Sequence, residues 1–65
     1  MRAKMKELRE KKGLTQHQMA NEIDVSRPTY VNIERGNANP SLPVAMKIKQ
    51  VLEYKSDDIF LNKNV

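Results

Sequence analysis

The side chains with the richest hydrogen-bonding chemistry lie between Arg27 and Arg35. Pro28, Val31, Asn32 and Arg35 share one face at helical spacing, with Arg27 just before them and Thr29 at the edge. An asparagine amide sets a donor beside an acceptor, which matches adenine N6 and N7; a guanidinium offers two parallel donors, which match guanine O6 and N7. A helix carrying such a face suits the DNA major groove, which admits one α-helix. Arg27, at the helix start, is open to base contact or to clamping a phosphate. Pro28 has no donor: it either touches a thymine methyl or only stiffens the helix start. Val31 likewise meets a methyl or is a tolerated exposed apolar residue.

Little else in the chain has reactive chemistry. One histidine, no cysteine and two glycines leave no thiol nucleophile, thiolate metal site or phosphate-cradling glycine loop. Asp57-Asp58 reads as helix capping rather than a metal or acid/base pair. No catalytic residue, metal or cofactor is expected, and the chain is not read as an enzyme. No stretch approaches the roughly 18 apolar residues of a membrane span, and no signal-peptide core is present. A cysteine-free chain fits a reducing cytoplasm, so the expectation is a soluble cytoplasmic protein with no membrane or small-molecule partner.

Sixty-five residues make one domain, residues 1–65. A chain this short buries only about 60% of its unfolded surface, so its core must be economical. The net charge is +4, and residues 1–12 alone supply that balance: Arg2, Lys4, Lys6, Arg9, Lys11 and Lys12 against Glu7 and Glu10. Cations suit a nucleic-acid partner because each neutralised phosphate releases condensed counterions; they also serve simply to solvate a helix face.

The elements that must position the polar face can be placed by periodicity and capping signals. Met1, Met5 and Leu8 put one apolar stripe on a first helix over 2–12, which Gly13 ends. Thr15 and Gln18 form a capping box for the second helix, with Leu14 and Met19 as its hydrophobic staple. Met19, Ala20 and Ile23 are its buried side. Asp24-Val25-Ser26 reads as the turn and Ser26 as the N-cap of a third helix. Pro28 sits inside the first turn, where a missing N–H costs nothing. Val25, Tyr30 and Ile33 point inward and Gly36 ends the helix. Ser41-Leu42-Pro43 opens a fourth helix with Leu42, Ala45, Ile48 and Leu52 inward. Ser56-Asp57-Asp58 starts a short fifth helix through Phe60, and Asn62–Val65 reads as a frayed tail. The fold expected is all-α, a compact five-helix bundle.

In order and spacing the chain resembles the Cro/C1-repressor-type (XRE-like) helix-turn-helix regulators of phages and bacteria. The likeness runs from Leu8-Arg9 through Gly13-Leu14-Thr15-Gln16, Ala20, Val25-Ser26, Ile33-Glu34-Arg35-Gly36 and Pro40-Ser41-Leu42 to Asp58-Ile59-Phe60. It implies a lambda-repressor-like DNA-binding domain, bacterial or phage-encoded, that regulates transcription. By that resemblance Arg27, Pro28 and Asn32 stand where relatives touch base edges, with Val31 beside them. Gln16 stands where they hold a phosphate and buttress the recognition helix, and Arg9 and Glu34 where they form an ion pair. His17, Thr29, Arg35, Asn37 and Asn39 complete the expected backbone contacts, though a lone histidine such as His17 is more often an ordinary surface residue. Where the family usually places glycine in the turn, this chain has Asp24, which tolerates positive φ better than most residues. It also lacks the basic residues some relatives carry after the third helix.

One short helix contacts few bases, so two copies on a pseudo-palindromic operator are expected, with half-sites ~34 Å apart. Val51, Tyr54, Ile59, Phe60 and Leu61 are open to two readings, a self-association surface or simply core. The alternative function is a protein-interaction module, such as an antitoxin or antirepressor, that uses the same fold to hold a partner protein.

Overall fold

A computed structural model describes residues 1–60; residues 61–65, which include Leu61 and the expected frayed tail, lie outside the described residues. Four helices follow in order: α1 (Ala3–Lys11), α2 (Gln16–Glu22), α3 (Arg27–Arg35) and α4 (Leu42–Leu52). A single 3-10 turn, Asp57–Phe60, stands where a fifth helix was expected. Its four residues are too few to establish an α-helical ladder after a costly nucleus. The Ser56 hydroxyl accepts from Asp58 N–H at 3.3 Å, so Ser56 caps the start of this turn as its residue type leads one to expect. No strand occurs among the described residues.

The boundaries of α2 and α3 follow their capping chemistry. Thr15 Oγ1 accepts from Gln18 N–H, and Gln18 Oε1 accepts from Thr15 N–H, so the box is reciprocal. Ser26 caps α3 through Thr29 N–H and Ser41 caps α4 through Val44 N–H, each with proline in the first turn. Asp24 adopts φ 62° in the turn between α2 and α3, and Gly13 and Gly36 follow α1 and α3 with φ 74° and 86°.

The core gathers Met5 from α1, Met19 and Ala20 from α2, Ile23, Tyr30 and Ile33 around α3, Ile48 and Leu52 from α4, and Ile59 from the 3-10 turn. Ala20 is almost fully buried, where α2 and α3 pack most closely and a larger side chain would push them apart. Two inward assignments change. Met1 is exposed, and Arg2 is buried at the start of α1 instead. Leu42 is 75% exposed: the inner stripe of α4 runs through Val44, Ile48, Val51 and Leu52 at i, i+4, i+7 and i+8, which leaves Leu42 at the first helical position facing out.

Candidate nucleic-acid interface

The geometry of the interface begins beneath it, with one buried carboxylate. Glu34, in the last turn of α3, is completely inaccessible. Arg9 from α1 donates Nε to Oε2 at 2.9 Å and Nη2 to Oε1 at 3.2 Å. Tyr30, one turn earlier on α3, donates its hydroxyl to Oε2 at 2.7 Å, and Gln16 from α2 donates Nε2 to Oε1 at 3.3 Å. Arg9 also donates Nη1 to Leu14 O at 2.6 Å, in the α1–α2 connection. Three helices are therefore referenced to a single side chain. Burial alone pushes the Glu34 carboxyl up, but hydrogen bonds from Arg9, Tyr30 and Gln16 and the Arg9 charge outweigh it and hold it below its ordinary range. Hydrogen bonding to Glu34 raises the Arg9 pKa, and desolvation raises that of Tyr30.

The backbone of the same C-terminal end of α3 is held as tightly, by a residue that sequence reasoning placed among the surface cations. Arg2 is 3% exposed. Its backbone N–H donates to Glu34 O at 2.8 Å, and its guanidinium donates to Ile33 O, to Ala38 O at 2.8 Å, to Phe60 O at 2.8 Å and to Asn39 Oδ1 at 2.8 Å. Asn32 O accepts from Asn37 and Ala38 N–H. The carbonyls of Asn32, Ile33 and Glu34, which have no partner within the helix, are thus all satisfied, and a cation sits at the negative end of the helix dipole.

On this frame α3 presents the expected polar face. Arg27, Pro28, Asn32 and Arg35 are exposed and Val31 is half-buried. An open concavity of about 570 Å³ runs between α1, α2 and α3, lined by Lys6, Gln16, His17, Arg27 and Arg35 among others, with the Arg9–Glu34 pair in its floor. Gln16 has one amide N–H engaged by Glu34 and a second left to offer. The exposed Thr29 hydroxyl shares a hydrogen bond with Ser26 Oγ at 2.7 Å in which either oxygen can donate, so its own proton is available outward when Ser26 is the donor. Asn37 is exposed in the loop beyond α3; Asn39 is exposed too, but its oxygen is committed to Arg2 and it borders a different groove, with Pro40, Leu42 and Phe60.

The basic N-terminal segment is not a phosphate-facing stripe. Arg2 and Arg9 are buried; Lys12 pairs with Glu53 at 2.7 Å, Lys11 with Glu7 at 3.7 Å, and Lys4 lies 5.6 Å from the centroid of the Tyr54 ring. Besides the paired Arg9 in its floor, Lys6 is the α1 cation that lines the concavity. Its position three residues before Arg9 was the available signal, since i and i+3 share a helix face. For Arg2 no spacing rule pointed inward.

A closely packed pair of capped helices, with the second one's outer face polar and its C-terminal end locked from beneath, is the helix-turn-helix arrangement, and a helix-turn-helix family model matches residues 5–59. The chain belongs to the helix-turn-helix family. Curated relatives agree over nearly the whole length. An uncharacterised HTH-type transcriptional regulator of Archaeoglobus fulgidus is 44% identical over 61 residues, covering 94% of this chain and 86% of the relative. One from Methanocaldococcus jannaschii is 41% identical over 61 residues, 94% and 92% of the two chains. The regulator YgzD of Bacillus subtilis is 38% identical over 60 residues, 92% and 91%. Archaeal helix-turn-helix relatives stand beside bacterial ones, so membership does not confine the chain to phages and bacteria. No solved structure matches the chain. Among the described residues no helix is long and apolar enough to cross a membrane.

The C-terminal apolar residues behave mostly as core. Ile59 is fully buried, and Val51, Tyr54 and Phe60 pack against the core. The large exposed apolar side chains among the described residues are Met1, Leu42 and Met46, the last two at i and i+4 on the outer side of α4.

Proposed function

We propose that this helix-turn-helix transcriptional regulator is a repressor that binds a pseudo-palindromic operator as a homodimer, reading bases with α3. The observation that supports this best is the contrast at α3. Its inner side is locked by Arg9, Glu34, Tyr30 and Arg2, while Arg27 and Asn32 stand exposed with their side-chain hydrogen-bonding capacity unspent within the described chain. A rigid helix with free donors and acceptors is what base readout requires.

Asn32 pairs with an adenine edge and Arg27 with a guanine, and Pro28 and Val31 offer apolar contact to thymine methyls. Lys6, Arg35, Gln16, His17 and Thr29 grip the backbone on one side of α3, and Asn37 and Asn39 on the other. Each copy reads one half-site, and the two half-sites lie ~34 Å apart, one helical turn of DNA. The three unpaired cations around the concavity, Lys6, Arg27 and Arg35, give roughly six phosphate-directed charges per dimer and a slope of roughly −5 for log K against log [salt].

Selecting duplexes from a random pool tests the reading: a palindromic consensus with that salt slope supports it. Asn32→Ala then weakens binding by about 1–3 kcal/mol and relaxes preference at one base pair. A loss equal on selected and random duplexes would refute the role of Asn32. Failure to enrich any duplex, with salt-insensitive capture of a protein partner, would establish the antitoxin-like reading instead.

A further inference from the structure

Among the described residues Arg2 is the one buried cation whose side chain is not spent on Glu34. Its guanidinium reaches four acceptors that belong to the end of α3, the loop beyond it and the 3-10 turn: Ile33 O, Ala38 O, Phe60 O and Asn39 Oδ1. A guanidinium has donors only, so the Asn39 atom facing it must be the amide oxygen. That choice turns the Asn39 amino group away from Arg2, on a residue that is exposed. The same guanidinium pins the adjoining backbone through Ala38 O. The other charged side chain in the groove beside Asn39 is Asp57, and Lys49 occupies it at 2.6 Å.

We infer that Arg2 is a positioning residue for the DNA grip: it fixes the Asn39 amide so that the loop after α3 presents a hydrogen-bond donor, and no acceptor, to an operator phosphate. This rests on the DNA-binding reading above and adds to it a buried residue that never touches DNA. It also shows how a loop without basic residues makes a directed phosphate contact: an amide held in one of its two orientations replaces a charge.

Asn39→Asp separates this role from a structural one. Aspartate keeps an oxygen for Arg2, so the fold holds and its melting temperature stays equal or rises. It replaces the outward amino group by a carboxylate oxygen, and affinity for the selected duplex falls at least tenfold in fluorescence anisotropy. Gln50→Glu, the same charge change on the exposed side of α4, leaves affinity within about threefold. Arg2→Lys keeps the charge but offers one nitrogen in place of three. It weakens binding several-fold, and the Arg2→Lys, Asn39→Ala double variant binds no more weakly than Asn39→Ala alone, because Arg2 acts through Asn39. Wild-type-like binding by Asn39→Asp, or additive losses in the double variant, overturns the inference and leaves the DNA-binding reading intact. If Arg2→Lys does not fold, the Asn39→Asp comparison decides alone. If the wild-type chain selects no duplex, the DNA-binding reading falls first and takes this one with it.

Discussion

Removing Arg9 tests the frame on which the interface rests. Arg9→Ala deletes both donors to Glu34 and the bond to Leu14 O, leaving a carboxylate with 1% side-chain exposure. Stranding one partner of a buried pair costs about 3–5 kcal/mol. Tyr30 and Gln16 still donate to that carboxylate, which places the expected loss near the lower end, about 3 kcal/mol. At roughly 0.05–0.15 kcal/mol per residue, a domain of this size has about 3–10 kcal/mol in total. The variant therefore sits near its unfolding threshold, with a melting temperature lower by roughly 12–24 °C. Urea denaturation followed by circular dichroism at neutral pH measures the loss directly. The pH dependence adds a sharper test. Without Arg9 the Glu34 carboxyl loses its principal stabilising partner while burial still raises its pKa, so it is less depressed than in wild type and the gap between wild type and variant narrows as the solution is acidified. A loss below about 1 kcal/mol at neutral pH, the range of an exposed pair, or a gap that widens in acid, would refute the buried-pair argument.

Wild type itself should be acid-sensitive. The folded Glu34 pKa lies below its ordinary value of 4.5, so its contribution is complete above that pH and is lost as pH falls through the lower, folded value. A urea midpoint that holds from pH 7 to 5 and drops below about 4.5 is the expected result, with a weaker drop in Glu34→Gln. Asp24→Gly relieves a left-handed backbone at φ 62° and should change stability by a net gain of up to about 1 kcal/mol, the glycine's added unfolded-state freedom offsetting part of it. A clear destabilisation in thermal melts would show that the Asp24 side chain supports the turn. Leu42→Ser, at a position 75% exposed, should alter monomer stability by less than about 0.5 kcal/mol. A larger loss that grows with protein concentration in sedimentation would instead place Leu42 in the dimer contact.

Local chemistry accounts for most of what was legible in the residues alone. Capping is decided within four residues, so Thr15-Gln18, Ser26 and Ser41 announced the starts of α2, α3 and α4, and Gly13 and Gly36 the ends of α1 and α3. Three-residue and four-residue spacing located Met5, Met19, Ala20, Tyr30, Ile33, Ile48 and Leu52 in the core and left Asn32 and Arg35 outside. The wrong assignments came from stopping at periodicity. Leu42 fits an inward stripe by spacing, but rotation of α4 against the core follows from where Val44 and Val51 pack, which no local rule states. A capped acidic start was read as a helix at Ser56, yet the ladder closes only as a 3-10 turn.

Arg2 is the clearest case of what tertiary structure alone decided. Its four guanidinium acceptors come from Ile33, Ala38, Asn39 and Phe60, between 31 and 58 positions along the chain. A cation near a terminus is ordinarily a solvated one; it becomes internal only where folding gathers enough unpaired oxygens to replace its water. Residue types and short-range spacing determined the helices, their ends and the polar face of α3. Which charges are surface and which are scaffold depended on acceptors brought together from distant parts of the chain, and that only the packed structure could decide.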